Sequence, residues 1–127
     1  MPKRSSLFVS CAVVVSLFLS GCGNDCQSTC TKLYGAAPNC GGPNEAVGTI
    51  GLVQNGESES KKMRQCMTAC ETGLEKPGEV GDYDPEDPST PRDVTLDNDR
   101  QVALWMDCVA SNDCPNLETG GYCRPVW

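Results

Sequence analysis

Residues 58–74 read SESKKMRQCMTACETGL. Met63, Cys66, Met67, Cys70 and Leu74 recur at three- and four-residue intervals, the period of one buried helix face, while Lys61, Lys62, Arg64 and Glu71 fall elsewhere on the wheel. The pattern predicts a helix over about 58–74. Within it the CxxxC spacing of Cys66 and Cys70 sets two sulfurs one turn apart on that face. Met63 and Met67 read as adaptable core filler rather than sulfur ligands, because both lie on the stripe that must be buried.

A second CxxxC pair, Cys26 and Cys30, precedes Leu33 at i+7; Asn24 or Asp25 stands where an N-cap belongs and Gly35 where a helix stops. Two helices that each carry a sulfur pair on one face can be riveted together. In an antiparallel hairpin the outer cysteine of one meets the outer cysteine of the other, which gives Cys26–Cys70 and Cys30–Cys66. This arrangement resembles the twin CxxxC helical hairpins of small intermembrane-space proteins and of plant α-hairpinins. The resemblance covers those four cysteines and departs in the 35 residues between Cys30 and Cys66, where those families use shorter connections. It implies a geometry and no function.

A third helix is expected from a cap at Asp97 or Asn98 to about Ala110, with Val102, Trp105, Met106 and Val109 on one face and Leu104 and Cys108 beside it. Between the helices, Ala36 to Gly56 is Gly- and Asn-rich, with Cys40 expected to staple it and Ile50 to Val53 to cover part of the core. Residues 75–95 form an acidic, Pro-rich linker in which Pro77, Pro85, Pro88 and Pro91 separate Glu79, Asp82, Asp84, Glu86 and Asp87; it is expected to be solvated and irregular. The tail, Asn112 to Trp127, reads as compact coil, with Cys114 and Cys123 bracketing a turn at Thr119-Gly120-Gly121. Trp127 reads either as an anchor for a partner or as a cover packed back over the core.

The first 21 residues differ from the rest. Lys3 and Arg4 precede an apolar run from Leu7 to Leu19, which ends in Leu19-Ser20-Gly21-Cys22. A positive start, an apolar run and small residues before the cleavage point are the parts of an export signal, and 13 apolar-run residues fall short of the roughly 20 that span a bilayer. Leu19-Ser20-Gly21-Cys22 resembles the lipobox of bacterial lipoproteins; the alternative is an ordinary signal peptide that happens to end at a cysteine. The resemblance implies removal of residues 1–21, a mature domain over 22–127, and lipid on Cys22 that holds the protein in a membrane. Gly23 follows that cysteine where an Asp would favour inner-membrane retention in diderm bacteria, so the resemblance implies the outer membrane, on its periplasmic or its surface face.

Cys11 lies inside the signal and Cys22 is assigned to lipid, which leaves Cys26, Cys30, Cys40, Cys66, Cys70, Cys108, Cys114 and Cys123. An even number in a small exported chain reads as four disulfides. With the two hairpin pairs assigned, Cys40–Cys108 and Cys114–Cys123 are the expected remainder. The 106 mature residues hold only 22 Val, Ile, Leu, Met, Trp and Tyr and no Phe, too thin a core to offset the entropy of folding unaided. Disulfides at about 2–4 kcal/mol each are the usual remedy.

The mature chain carries 8 Lys and Arg against 17 Asp and Glu, a net charge of −9. Without a basic stripe, nucleic acid is not an expected partner. No histidine occurs, so Ser/His and Cys/His catalysis is excluded, and the abundant carboxylates sit in a Pro-rich stretch with no apolar pocket to separate their pKa values. CxxC knuckles, expected of zinc, iron–sulfur or thiol redox sites, are absent. Asp82, Asp84 and Asp87 form DxDxxD, a calcium-like cluster, but Pro85 interrupts it and the glycine and terminal bidentate Glu of an EF-hand loop are missing.

The sequence thus predicts a mainly α, small, disulfide-rich, three-helix domain with long irregular loops. It is expected to be a non-catalytic, cofactor-free envelope protein, held to the membrane through Cys22 and acting as a structural or protein-interaction component with an envelope protein as partner. A ligand or calcium binder using Asp82, Asp84 and Asp87 is the alternative.

Overall fold

The computed structural model describes residues 24–43, 50–54 and 56–127. Cys22 and the leader lie outside the described residues. The chain forms four helices, α1 (Cys26–Tyr34), α2 (Glu59–Leu74), α3 (Asp99–Ser111) and α4 (Cys114–Glu118), with no strand among the described residues. The helices α1, α2 and α3 pack on one another.

Each helix begins where a polar side chain satisfies otherwise orphaned N–H groups. Asp25 caps α1, accepting from the Ser28 N–H, while the Ser28 hydroxyl accepts from the Asp25 N–H in a reciprocal box. Ser58 caps α2, Asn98 caps α3 and Asp113 caps α4. At the other end of α3, Lys32 of α1 donates its Nζ to the Val109 and Asn112 carbonyls at 2.6 Å each and to Ala110 at 3.2 Å. One buried-stem lysine thereby covers carbonyls that α3 leaves unpaired, with its charge where the helix dipole favours it.

Both hairpin rivets form as the geometry requires: Cys26–Cys70 and Cys30–Cys66, each with a Cα separation of 5.8 Å. The equal separations keep α1 and α2 side by side over a full turn. The other expected pairs are overturned. Cys40 joins Cys114 and Cys108 joins Cys123, which ties the loop after α1 to the start of α4 and the tail to α3. The reason is α4 itself, a short helix where coil was expected. Asp113 caps it and Pro115 stands in its first turn, where a missing N–H costs nothing. The chain then folds back through Gly120 and Gly121 to deliver Cys123 beneath α3 rather than beside Cys114.

The core is built from Leu33 and Tyr34 of α1, Val102, Trp105 and Val109 of α3, Leu117 of α4, and the disulfide sulfurs. The buried Trp105 Nε1–H donates to the Cys123 and Pro125 carbonyls at 3.0 and 3.2 Å. The Trp127 N–H donates to the Tyr34 hydroxyl at 2.6 Å. Burial holds that phenol protonated, with its pKa pushed up to about 12.

Three expectations on apolar residues are corrected. Leu74 ends the α2 stripe but is 43% exposed, because Gly73 takes the contact with α3: a Cβ there would lie 2.5 Å from Val102 Cγ2. Ile50 is 65% exposed, so the run Ile50 to Val53 covers the core through Gly51 and Leu52, which are buried, and partly through Val53; Leu104, beside the buried face of α3, is 38% exposed. The 75–95 segment is irregular and its carboxylates are exposed, yet it is not a free linker. Pro85 is fully buried and its carbonyl accepts from the Cys123 N–H at 2.7 Å, while the Tyr83 hydroxyl donates to the Arg124 carbonyl at 2.6 Å. Two apolar rings and two hydrogen bonds moor a stretch whose average composition promised neither.

Candidate docking groove

The outward row of α2 steps by four residues through Arg64, Thr68 and Thr72, with Lys61 and Ala69 alongside and Lys76 just beyond the helix end. Residues four apart lie one above another, so this row is a straight wall. Facing it is the irregular stretch Asp93 to Leu96, and Trp127 also lines the groove. Together they bound an open groove of about 670 Å³.

The second wall is fixed by contacts at the α2–α3 corner. The Asp99 N–H donates to the Lys76 carbonyl at 2.8 Å, and the Asp97 N–H donates to the Gln101 side chain at 2.8 Å. Gly73 allows the Leu96 carbonyl to approach: a Cβ on Gly73 would stand 3.2 Å from that oxygen. Leu96 is buried behind the wall, Val94 is half-buried and Thr95 is exposed. Trp127 is positioned by its backbone bond to Tyr34 and by an edge-to-face contact with Trp105, ring centres 5.9 Å apart. Trp127 packs back over the core, the second of its two readings from sequence, and it also lines the groove.

Charge on this face departs from the rest of the chain. Lys62 pairs with Glu57 at 3.1 Å, Arg100 pairs with Glu79 at 2.6 Å, and Lys32 is engaged with α3. Burial lowers the pKa of Lys32, and burial together with the nearby Arg92 lowers that of Arg124. Lys61, Arg64 and Lys76, all on the groove, have no carboxylate partner among the described residues. Asp93 is the acidic side chain on the lining. Sequence reasoning placed Lys61 and Arg64 on the outward face of α2 but did not find the groove. Its legible trace was the four-residue row of cations and small side chains.

The eight cysteines expected in disulfides are all paired, which leaves none of them as a thiolate nucleophile or ligand. The three candidate calcium ligands are not gathered into a ligand set. Asp84 accepts from the Glu86 N–H at 2.9 Å, and Asp87 accepts from the Ser89 N–H at 2.8 Å and hydroxyl at 2.6 Å. Those bonds hold the Asp87 carboxyl below its usual range. Asp82, Asp84 and Asp87 border a shallow concavity, but no group of three or more acidic, cysteine or histidine side chains close enough to hold a metal occurs among the described residues. Their work is local: two of them brace the turns that carry Pro85 inward. No helix among the described residues is long and apolar enough to cross a membrane. The chain matches no protein-family model, no curated protein and no solved structure.

Proposed function

We propose that this is a lipid-anchored cell-envelope protein that acts without catalysis, by docking a protein partner on the α2 groove. The observation that carries the docking is the groove's composition: three cations without partners beside Ala69, Val94 and Trp127, on a mature chain of net charge −9. A surface that concentrates the minority charge around apolar side chains is suited to a specific partner, because the remaining surface repels anions that the groove attracts. Two disulfides hold α2 against α1 and backbone hydrogen bonds at the α2–α3 corner hold the other wall, so little ordering entropy opposes association.

The lipid anchor rests on Leu19-Ser20-Gly21-Cys22. If Cys22 carries lipid, α1 begins four residues later, and at roughly 3.5 Å per extended residue the fold lies within about 14 Å of the anchor. The partner then belongs to the same membrane or its near surface. Intact mass of the protein from its native membrane, with and without thiol alkylation, tests the anchor. A mass of Cys22–Trp127 plus acyl chains, with no alkylation, is expected; an unacylated chain, or one that takes up alkylating agent, refutes this reading.

A further inference from the structure

The start of α1 is pinned to both neighbouring helices. The Asn24 side chain donates to the Asp107 carboxylate of α3 at 2.8 Å, and Cys26 is bonded to Cys70 of α2. Cys22 stands two residues before Asn24, so its backbone lies within roughly 7 Å of that pinned residue. Among the described residues the exposed large apolar side chains are Ile50, Leu74 and Leu104, and two of them belong to this end of the fold. Leu74 is one turn past Cys70 on the same face of α2; Cys70 meets the first residue of α1, so Leu74 lies beyond the start of that helix, at the end where the chain from Cys22 enters. Leu104 is one turn before Asp107, the residue that holds Asn24. Ile50 is at the opposite end. Its N–H donates to Glu118 of α4, and its neighbour Leu52 is bonded to Cys40, whose N–H donates to Lys32 in the last turn of α1.

Building on the lipid anchor proposed above, we propose that this end of the domain is its membrane-facing surface, with Leu74 and Leu104 seated at the bilayer interface beside the acylated Cys22. Two half-exposed leucines are too little apolar area to hold a free domain on a membrane. On a domain already tethered by acyl chains they have only to decide which end faces the lipid, because the tether keeps them at high local concentration there. Exposed Asp25, Glu71, Glu75 and Asp107 outnumber Lys76 at this end, Arg100 being paired with Glu79. The surface therefore fits phosphatidylethanolamine, whose ammonium group donates hydrogen bonds, better than anionic phosphatidylglycerol. Because the two disulfides make α2 antiparallel to α1, this orientation sets the Lys76 end of the groove toward the bilayer and the Lys61 end away from it.

The test uses protein expressed from the full chain, purified from its membrane and reconstituted in vesicles of equal parts phosphatidylethanolamine and phosphatidylglycerol. A benzophenone amino acid replaces Leu74, Leu104 or Ile50, one at a time, and after illumination the peptide that carries it is weighed for phospholipid adducts. Adducts are expected from positions 74 and 104, enriched in phosphatidylethanolamine, and none from position 50, although Ile50 is the most exposed of the three. The unsubstituted protein gives a reading that no variant can perturb. Free exposures of 43%, 38% and 65% predict hydroxyl-radical labelling of Leu74, Leu104 and Ile50 within about twofold of one another, whereas a seated face should leave both leucines labelled severalfold less than Ile50. Adducts as abundant from position 50 as from 74, or labelling in proportion to free exposure, in a chain whose intact mass shows acyl groups on Cys22, overturns the membrane face and leaves the anchor standing. Enrichment of phosphatidylglycerol in the adducts overturns the headgroup assignment. A chain without acyl groups overturns the anchor and this face with it.

Discussion

Gly73→Ala places a methyl 2.5 Å from Val102 Cγ2, inside the distance that real side chains tolerate. Forcing that methyl between α2 and α3 should cost about 1–3 kcal/mol, against about 1 kcal/mol gained from replacing a helical glycine. The expected net loss is about 1 kcal/mol, near 5 °C in melting temperature for a domain of this size. Val102 is fully buried, and Val102→Ala alone should cost about 1.5–3 kcal/mol through lost burial and the space left behind. In the double variant the methyl on residue 73 enters the space that Val102 vacates. The two effects should therefore fall short of their sum by about 1 kcal/mol, where independent sites add to within about 0.5 kcal/mol. Chemical denaturation under oxidising conditions, followed by far-UV circular dichroism, measures all four corners of the cycle. Strict additivity would show that Gly73 and Val102 do not meet, and would remove the contact that sets the outer groove wall.

Three further outcomes follow from the same contacts. Reduction of the four disulfides, each about 2–4 kcal/mol of restraint on the unfolded chain, should abolish the helical dichroism, and peptide mapping of the oxidised protein should yield Cys40–Cys114 and Cys108–Cys123 rather than Cys40–Cys108 and Cys114–Cys123. Asp25, Asp87 and Glu57 have carboxyls lowered by backbone and side-chain hydrogen bonds, from ordinary values of 3.8, 3.8 and 4.5. Groups more acidic in the folded state support it above the unfolded pKa and lose that support as pH falls through the folded value. Melting temperature should thus be level above about pH 5 and fall below about pH 4, less steeply in Asp25→Asn and Asp87→Asn. Millimolar calcium should leave the melting temperature of the native protein and of Asp84→Asn equally unchanged; a calcium-dependent rise confined to the native protein would restore the ligand-binding alternative.

The three long helices were legible because each is written twice over, in apolar period and in caps. Asp25 and Asn98 stand among the caps expected just before their stripes, and Ser58, read from sequence as the first residue of its helix, is its cap. The hairpin rivets were legible because CxxxC on two antiparallel helices leaves one sensible pairing. The remaining pairs were not, since they depend on the path of the tail. That path turns on α4, five residues whose Asp113 cap and Pro115 start are small signals in a Gly- and Cys-rich stretch. Leu74 was misread for a related reason. Periodicity assigns a residue to a face, but the neighbouring Gly73 decided how close α3 came and left Leu74 at the edge. The groove draws on α2, on residues 93–96 and on Trp127, segments that no local pattern brings together. Its cations read from sequence as an ordinary solvated helix face.

Docking through the α2 groove is tested most directly in the cell that makes the protein. A photocrosslinking amino acid replaces Thr68 on the groove wall, and in a second strain replaces the exposed Gln27 on α1. Illumination is expected to give one discrete adduct from position 68 and none from position 27. No adduct at position 68, or the same adduct from both positions, would contradict the account.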